Sequence, residues 1–174
     1  KSVLGIKIND EGRASFAFRL DDLRPKGLKG DTLFYESFDS CDGKGGNDGR
    51  WGGYIGAGKF KPDHEGWRFA VPEATSAGSR CALIGTSTKY GIVESTPLFY
   101  VEDGSIISFK AAAWNNEEGS LTVASLNPKV QLSETRLELP NRSWQTFTLT
   151  VKGSGLLRLS MRNGQRRFFL DELL

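Results

Sequence analysis

Thr146-Phe147-Thr148-Leu149-Thr150-Val151 alternates polar and apolar side chains without a break. Successive side chains of an extended chain point to opposite faces, so one face here is hydrocarbon and the other hydroxyl. That is the pattern of a half-buried antiparallel strand. It recurs upstream in Thr135-Arg136-Leu137-Glu138-Leu139, Leu121-Thr122-Val123-Ala124 and Ser105-Ile106-Ile107-Ser108-Phe109-Lys110-Ala111, and downstream in Leu157-Arg158-Leu159-Ser160-Met161. Turn chemistry separates these runs at Glu102-Asp103-Gly104, Glu118-Gly119, Lys152-Gly153-Ser154-Gly155 and Asn163-Gly164. Asn163-Gly164, between Leu157–Met161 and Arg166–Leu170, predicts a tight hairpin. No stretch keeps a 3.6-residue period over three turns. Short strands with closely spaced turns predict an all-β fold, a two-sheet antiparallel β-sandwich with the jelly roll as its favoured form.

A chain of 174 residues is a prior for one domain. With 38% hydrophobic, 25% charged and 11% aromatic residues, the composition is globular rather than disordered. No apolar run approaches the ~18 residues of a membrane helix, which argues against membrane insertion. The 23 basic and 21 acidic residues leave a net charge of +2, too small and too dispersed for a nucleic-acid binder. Arg166-Arg167 reads as solvent-facing strand residues rather than a phosphate site. One histidine, His64, and two cysteines exclude a His-rich zinc site and a CxxC motif. The chain opens Lys1-Ser2-Val3-Leu4-Gly5 and is strand-like at once. That says nothing of compartment, since leaders are removed from mature proteins.

Residues 40–66 are dense in glycine and show little alternation. A loop that long within a compact domain is expected to be functional, or held by a metal or disulfide. Trp51, Tyr54, Ile55 and Trp67 give it something to bury; a disordered insertion is the alternative. One internal echo stands out: Phe18-Arg19-Leu20-Asp21-Asp22-Leu23 repeats as Phe168-Phe169-Leu170-Asp171-Glu172-Leu173. Either residues 1–24 are the tail of a preceding domain copy, or two alternating strands ending in Asp agree by chance. Arg24-Pro25-Lys26-Gly27-Leu28-Lys29-Gly30 reads as a linker. The expected organisation is an N-terminal strand-and-linker segment, 1–31, and a sandwich module, 32–174.

Cys41 opens the Gly-rich loop and Cys81 begins the strand Cys81-Ala82-Leu83-Ile84. A disulfide closing about forty residues would contribute roughly 3–4 kcal/mol; two buried thiols are the alternative. Glu36 and Asp39 end an apolar strand, Asp42 and Asp48 follow in the loop, and Asp171 sits near the end of the last strand. Hard oxygen donors on Gly-rich backbone suit Ca²⁺, although EF-hand spacing is missing. A solvated acidic turn explains the same residues. Glycoside hydrolysis needs two convergent carboxylates, and no Glu-x-Asp-x-Glu run is present; Glu117-Glu118 reads as a turn. His64 lies in a loop, and the chain has no Gly-x-Ser-x-Gly elbow. The aromatics Trp51, Tyr54, Trp67, Tyr90 and Trp114 fall in or beside loops, where exposed rings stack on sugars. Asn115, next to Trp114, adds an amide that reads hydroxyls. Buried loop anchors are the alternative for each tryptophan. Trp144 is assigned to packing.

These residues also occur in a known order: Glu36-Ser37-Phe38-Asp39, the Cys-x-Gly-x-Gly-Gly-Asn-Asp-Gly-x-Trp stretch at 41–51, Gly66-Trp67, Cys81 with Gly85-Thr86-Ser87, Thr96-Pro97, Phe109 to Asn115, and Phe168-Phe169-Leu170-Asp171-Glu172. Over residues 32–174 the chain resembles the galactose-binding-like jelly-roll modules of bacterial secreted and surface proteins. These are similar to cleaved-adhesin domains and calcium-containing carbohydrate-binding modules. The resemblance implies a structural Ca²⁺ where the first strand meets the last, with Asp39 and Asp171 as its matched acids and Glu36 and Asp48 as weaker carry-overs. Glu172 departs from the second acid of the family's closing motif. The resemblance also favours the Cys41–Cys81 disulfide, and a scaffold role for Trp51, Trp67 and Trp114. The expected function is a non-catalytic carbohydrate-binding module of a larger secreted or cell-surface protein, with a polysaccharide or glycan as partner. A module that binds a host surface protein, or spaces neighbouring domains, is the alternative; a jelly-roll glycosidase or lyase ranks third.

Overall fold

The alternating runs become strands with their hydrocarbon faces inward, except that Leu157–Met161 is divided at Arg158 between two strands. The computed structural model of the protein describes residues 32–52, 58–115, 117, 119–163 and 167–174, and the backbone of residues 6–8 and 14–16. The chain divides into two compact units, Lys1–Thr32 and Leu33–Leu174. In the first, β1 (Ile6–Ile8) pairs antiparallel with β2 (Ala14–Phe16). The Phe18–Leu23 echo and the Arg24–Gly30 linker lie outside the described residues.

The second unit carries β3 (Arg68–Phe69), a 3₁₀ turn at Pro72–Ala74, β4 (Thr75–Gly78), β5 (Cys81–Ile84), β6 (Ile92–Ser95), β7 (Phe99–Val101), β8 (Ile106–Ala113) and β9 (Gly119–Ser125). It continues with β10 (Gln131–Leu132), β11 (Arg136–Leu139), β12 (Gln145–Lys152), β13 (Gly155–Leu157), β14 (Leu159–Asn163) and β15 (Phe168–Asp171). One sheet has six strands in the order β10-β12-β8-β15-β5-β4, and the other five in the order β11-β9-β14-β6-β3. All pairings within them are antiparallel. The chain passes between the sheets from β5 to β6, β8 to β9, β11 to β12 and β14 to β15, which is the wiring of a jelly roll. The small β7–β13 pair flanks them.

The main core lies between the sheets. Phe109, Phe147, Leu149, Phe168 and Leu170 meet Leu121, Val123, Leu137, Leu159 and Met161 there. Thr146, Thr148 and Thr150 of β12 are exposed on the opposite face, as their alternation requires. The expected Asn163-Gly164 hairpin is corrected. β14 pairs with β6 and β9, and β15 with β5 and β8, so the two strands stand in different sheets. The physical reason is burial: Leu159, Met161, Phe168 and Leu170 all need the interior, and facing sheets bring them together. Gly164 itself lies outside the described residues.

The centre of the six-stranded sheet is buried on both faces. β5 and β15 are buried throughout, and Cys81, Leu83, Ala112, Trp114 and Phe169 form a second cluster behind the sheet. Trp51 and Trp144 pack on that cluster. The Gly-rich loop lies against β4 and this outer surface. Gly43 N–H donates to Gly78 O at 2.9 Å and Ser79 N–H to Gly45 O at 2.8 Å. Glycine is required for so close an approach: a Cβ on Gly43 would stand 1.8 Å from the Ala77 oxygen. One on Gly46, whose φ is +76°, would stand 2.7 Å from Cys81 Sγ.

Candidate functional site

The acids gather around the start of the module and the end of β15, but they do not form one ligand set. Glu36 is fully buried. Its carboxylate accepts N–H bonds from Asp63 at 2.7 Å, His64 at 3.1 Å and Phe38 at 3.3 Å, and from Trp67 Nε1 at 3.2 Å. Those donors occupy the lone pairs a metal would use. His64 Nδ1 stands 3.5 Å from Glu36 Oε2, and its ring packs on Phe34. Glu36 therefore pins the 61–67 loop to the sandwich. Asp39 is exposed and pairs with Arg80 Nη2 at 2.8 Å. Asp48 accepts from Gly45 N at 3.1 Å and Arg50 N at 3.0 Å, closing a turn of the Gly-rich loop. Among the described residues, no cluster of three or more His, Cys, Asp or Glu groups could hold a metal ion.

Asp171 differs from the other acids. It is only 4% exposed, and its Oδ1 has no hydrogen-bond partner. Its Oδ2 accepts from Asn47 Nδ2 at 3.0 Å, and the same amide donates to the Arg80 carbonyl at 2.9 Å. Burial raises the Asp171 carboxyl from 3.8 to about 6, against the lowering effect of the Asn47 hydrogen bond. Phe38, Arg80 and Glu172, in or beside this place, have φ of 55°, 53° and 45°. Non-glycine residues held in the left-handed region are strained, and such strain concentrates at functional positions.

The cysteines overturn the expected disulfide. Both Cys41 and Cys81 are free and buried. Cys41 belongs to the core between the sheets, while Cys81 points into the cluster behind the six-stranded sheet. Burial raises both thiols, Cys81 far above its usual range, so both stay protonated and inert.

At the other end of the sandwich, β5, β8 and β15 meet the connections that hold most of the expected ligand residues. Trp114 is 6% exposed and lies nearly parallel to Phe169, with ring centroids 5.8 Å apart. The Arg167 guanidinium sits 4.1 Å from the Trp114 ring centroid and pairs with Glu117. Trp51 packs edge-on against Trp144 and Phe169. Its carbonyl accepts from Asn115 N at 2.8 Å, and the Asn115 side chain accepts from Arg142 Nε. Trp67 is apart from this group, packed on Phe38 and Phe60. The three tryptophans are thus packing residues first. Tyr54 lies outside the described residues. Tyr90 is 52% exposed, on the Gly85–Gly91 connection from β5 to β6. That connection reaches the rest of the rim through Asn163, whose N–H donates to Gly91 O and whose side chain donates to Arg167 O. The rim carries the hydroxyls of Thr86 and Thr88, the Lys89–Glu73 ion pair, and the Asn115, Arg142, Glu117 and Arg167 groups.

No family model and no curated protein matches the chain. Among solved structures it is similar to a carbohydrate binding module from Cellvibrio mixtus lichenase 5A, solved in complex with cellotriose. The identity is 14% and the TM-score 0.42, over 64% of this chain and 88% of that one. A likeness that loose assigns no residue and no ligand. No helix among the described residues is long and apolar enough to cross a membrane.

Sequence reasoning missed Asn47, Arg80 and Arg167 as site residues. Asn47 lies in Gly45-Gly46-Asn47-Asp48-Gly49, and its partner Asp171 stands 124 residues away. Arg167 is not the solvent-facing strand residue its sequence suggests: Glu117, fifty residues upstream, accepts from it at both the backbone N–H and the guanidinium. Nothing in the local sequence announces that pairing.

Proposed function

We propose that this chain is a non-catalytic glycan-binding module of a secreted or cell-surface protein, and that its ligand sits on the rim carrying Tyr90. The observation that carries the reading is Tyr90 itself: a half-exposed aromatic ring on a rim of hydroxyl, amide and guanidinium groups. An exposed ring supplies stacking area, and the polar groups supply oriented hydrogen bonds. Glycan-panel binding by the wild type and by Tyr90→Ala tests it. A saturable ligand that the variant loses while remaining folded supports the reading. Unchanged binding by Tyr90→Ala removes this rim from it.

Calcium fits one part of the carboxylate region. The buried, unpartnered Asp171 Oδ1 is what a hard cation would satisfy, and the Arg80 carbonyl lies within reach of the same Asn47 amide. Asp171, the Arg80 carbonyl and the Asn47 side chain turned to present its oxygen would hold the ion. Glu36, Asp39 and Asp48 would not, since each already serves protein donors. The ion's role is to stabilise the fold: at a hundred times its Kd it would add about 2.7 kcal/mol. Thermal unfolding in calcium and in chelator measures that term.

A protein-binding reading is favoured by one feature. Ile106 and Leu174 are 65% and 46% exposed, and Tyr35 is 45% exposed. Leu174 pairs with Ser108 in β8, while Glu36 pairs with Leu173, which sets Tyr35 beside Leu174. A blank panel from the folded protein moves the reading to this apolar face.

A further inference from the structure

We infer that the open half of β12 is an interface: two copies of this chain join edge to edge there, antiparallel across a two-fold axis at Phe147. On one side β12 pairs with β8 from Gln145 to Thr150. On the other, β10 reaches only Val151 and Lys152. Ser133 adds the last bonds: its N–H donates to Thr150 O at 2.9 Å, and its Oγ accepts from Thr150 N at 3.0 Å. The chain then leaves for the other sheet, where Thr135 O accepts from Val123 N and β11 pairs with β9. Gln145–Leu149 is left without a neighbouring strand on that side. Backbone groups of successive residues in an antiparallel strand turn to alternate sides. Val151 N–H donates to Ser105 O on the β8 side and Thr150 bonds to Ser133 on the other, so Thr146 and Thr148 also turn away from β8. Among the described residues, their N–H and C=O groups meet no backbone partner there.

Exposed strand edges are normally blunted by charge, proline, a bulge or a covering segment. Two other margins of this sandwich follow that rule. The Gly-rich loop covers β4, with Ala77 N–H donating to Gly58 O at 3.2 Å and Gly43 N–H to Gly78 O at 2.9 Å. β11 carries Arg136 and Glu138, both exposed. Gln145-Thr146-Phe147-Thr148-Leu149 has none of these devices, and threonine and phenylalanine favour strands. Its own sequence selects the occupant. Thr146-Phe147-Thr148 reads alike in both directions, as an antiparallel two-fold demands. Thr146 of one copy then stands opposite Thr148 of the other, and each pair exchanges both backbone bonds. The exposed threonines line up on the outer face, and Phe147, 7% exposed, meets its own mate on the inner face. β11, on the same side of the sandwich, is self-complementary too, with opposite charges flanking Leu137. The open stretch has the length this pairing needs. Ser133 closes one end, and at the other the chain departs with Trp144, which packs behind the sheet. A two-fold pairing closes on itself, so assembly stops at the dimer.

Sedimentation equilibrium of the 174-residue chain from about 10 μM to about 1 mM should show a reversible monomer–dimer equilibrium and no larger species. Hydrogen exchange at the two extremes locates the contact. The amides of Thr146 and Thr148 should be slow only in the concentrated sample, while those of Phe147 and Leu149, on the β8 side, are slow in both. Thr148→Pro removes an N–H that only the partner uses, at an edge where proline is tolerated, and should abolish the dimer. Should that variant fail to fold, charge tests the same pairing with the backbone intact. Thr146→Lys with Thr148→Lys sets like charges opposite each other and should weaken dimerisation about tenfold or more. Thr146→Lys with Thr148→Glu sets opposite charges there and should restore it. A monomer throughout the range, equal dimerisation by the two charge variants, or Thr146 and Thr148 amides as slow in dilute as in concentrated solution would each overturn the inference.

Discussion

Glu36 and Asp171 are both buried carboxylates, and their surroundings give them opposite roles. Glu36 is met by four N–H donors and holds a loop in place. Glu36→Gln replaces an acceptor oxygen with a donor amide facing those N–H groups. It should cost about 3 kcal/mol in urea unfolding, equally in calcium and in chelator. A cost confined to calcium would instead make Glu36 a ligand. Asp171 binds its proton more tightly in the folded chain than in the unfolded one, because burial lifts its carboxyl to about 6. In chelator, stability should therefore fall as pH rises from about 4 to about 6, since the folded state then carries the extra proton. Asp171→Asn should abolish that slope, keep the chelated protein at least as stable at pH 7, and erase any gain from calcium. Denaturant titrations across that range read all three effects.

At the scale of elements, the Gly-rich loop and the tryptophans behind the six-stranded sheet make one packed layer. Trp114→Ala should cost about 3–5 kcal/mol, the range for emptying an aromatic site. Gly43→Ala should cost about 1–3 kcal/mol by forcing the loop off β4. Trp144→Phe should be nearly neutral, because it removes a buried Nε1 that has no partner. Chemical denaturation of the three variants ranks them. Unfolded without reductant, the chain should release both thiols to a thiol reagent. The strands were legible because their alternation is local: β12 and β11 can be read residue by residue. The cover was not, because its parts come from residues 41–52, 114 and 144, and only the fold brings them together. Phe168-Phe169-Leu170 did carry a hint. A strand without a polar face is one buried on both sides. The alternation of Cys81 with Ala82 also carried one: neighbouring residues of a strand face opposite ways, so Cys81 leaves the core that Cys41 enters.

For the whole molecule, the sandwich separates its two candidate regions along the strands. The Asp171 region lies at one end, and the Tyr90 rim presents polar and aromatic groups at the other. Backbone amide shifts of the folded, calcium-loaded protein, followed as oligosaccharides from the panel are added, test the central claim most directly. The account predicts saturable shifts confined to residues 85–91, 115, 117 and 167, absent in Tyr90→Ala. Shifts centred on any other surface, or none with any glycan of the panel, would contradict it.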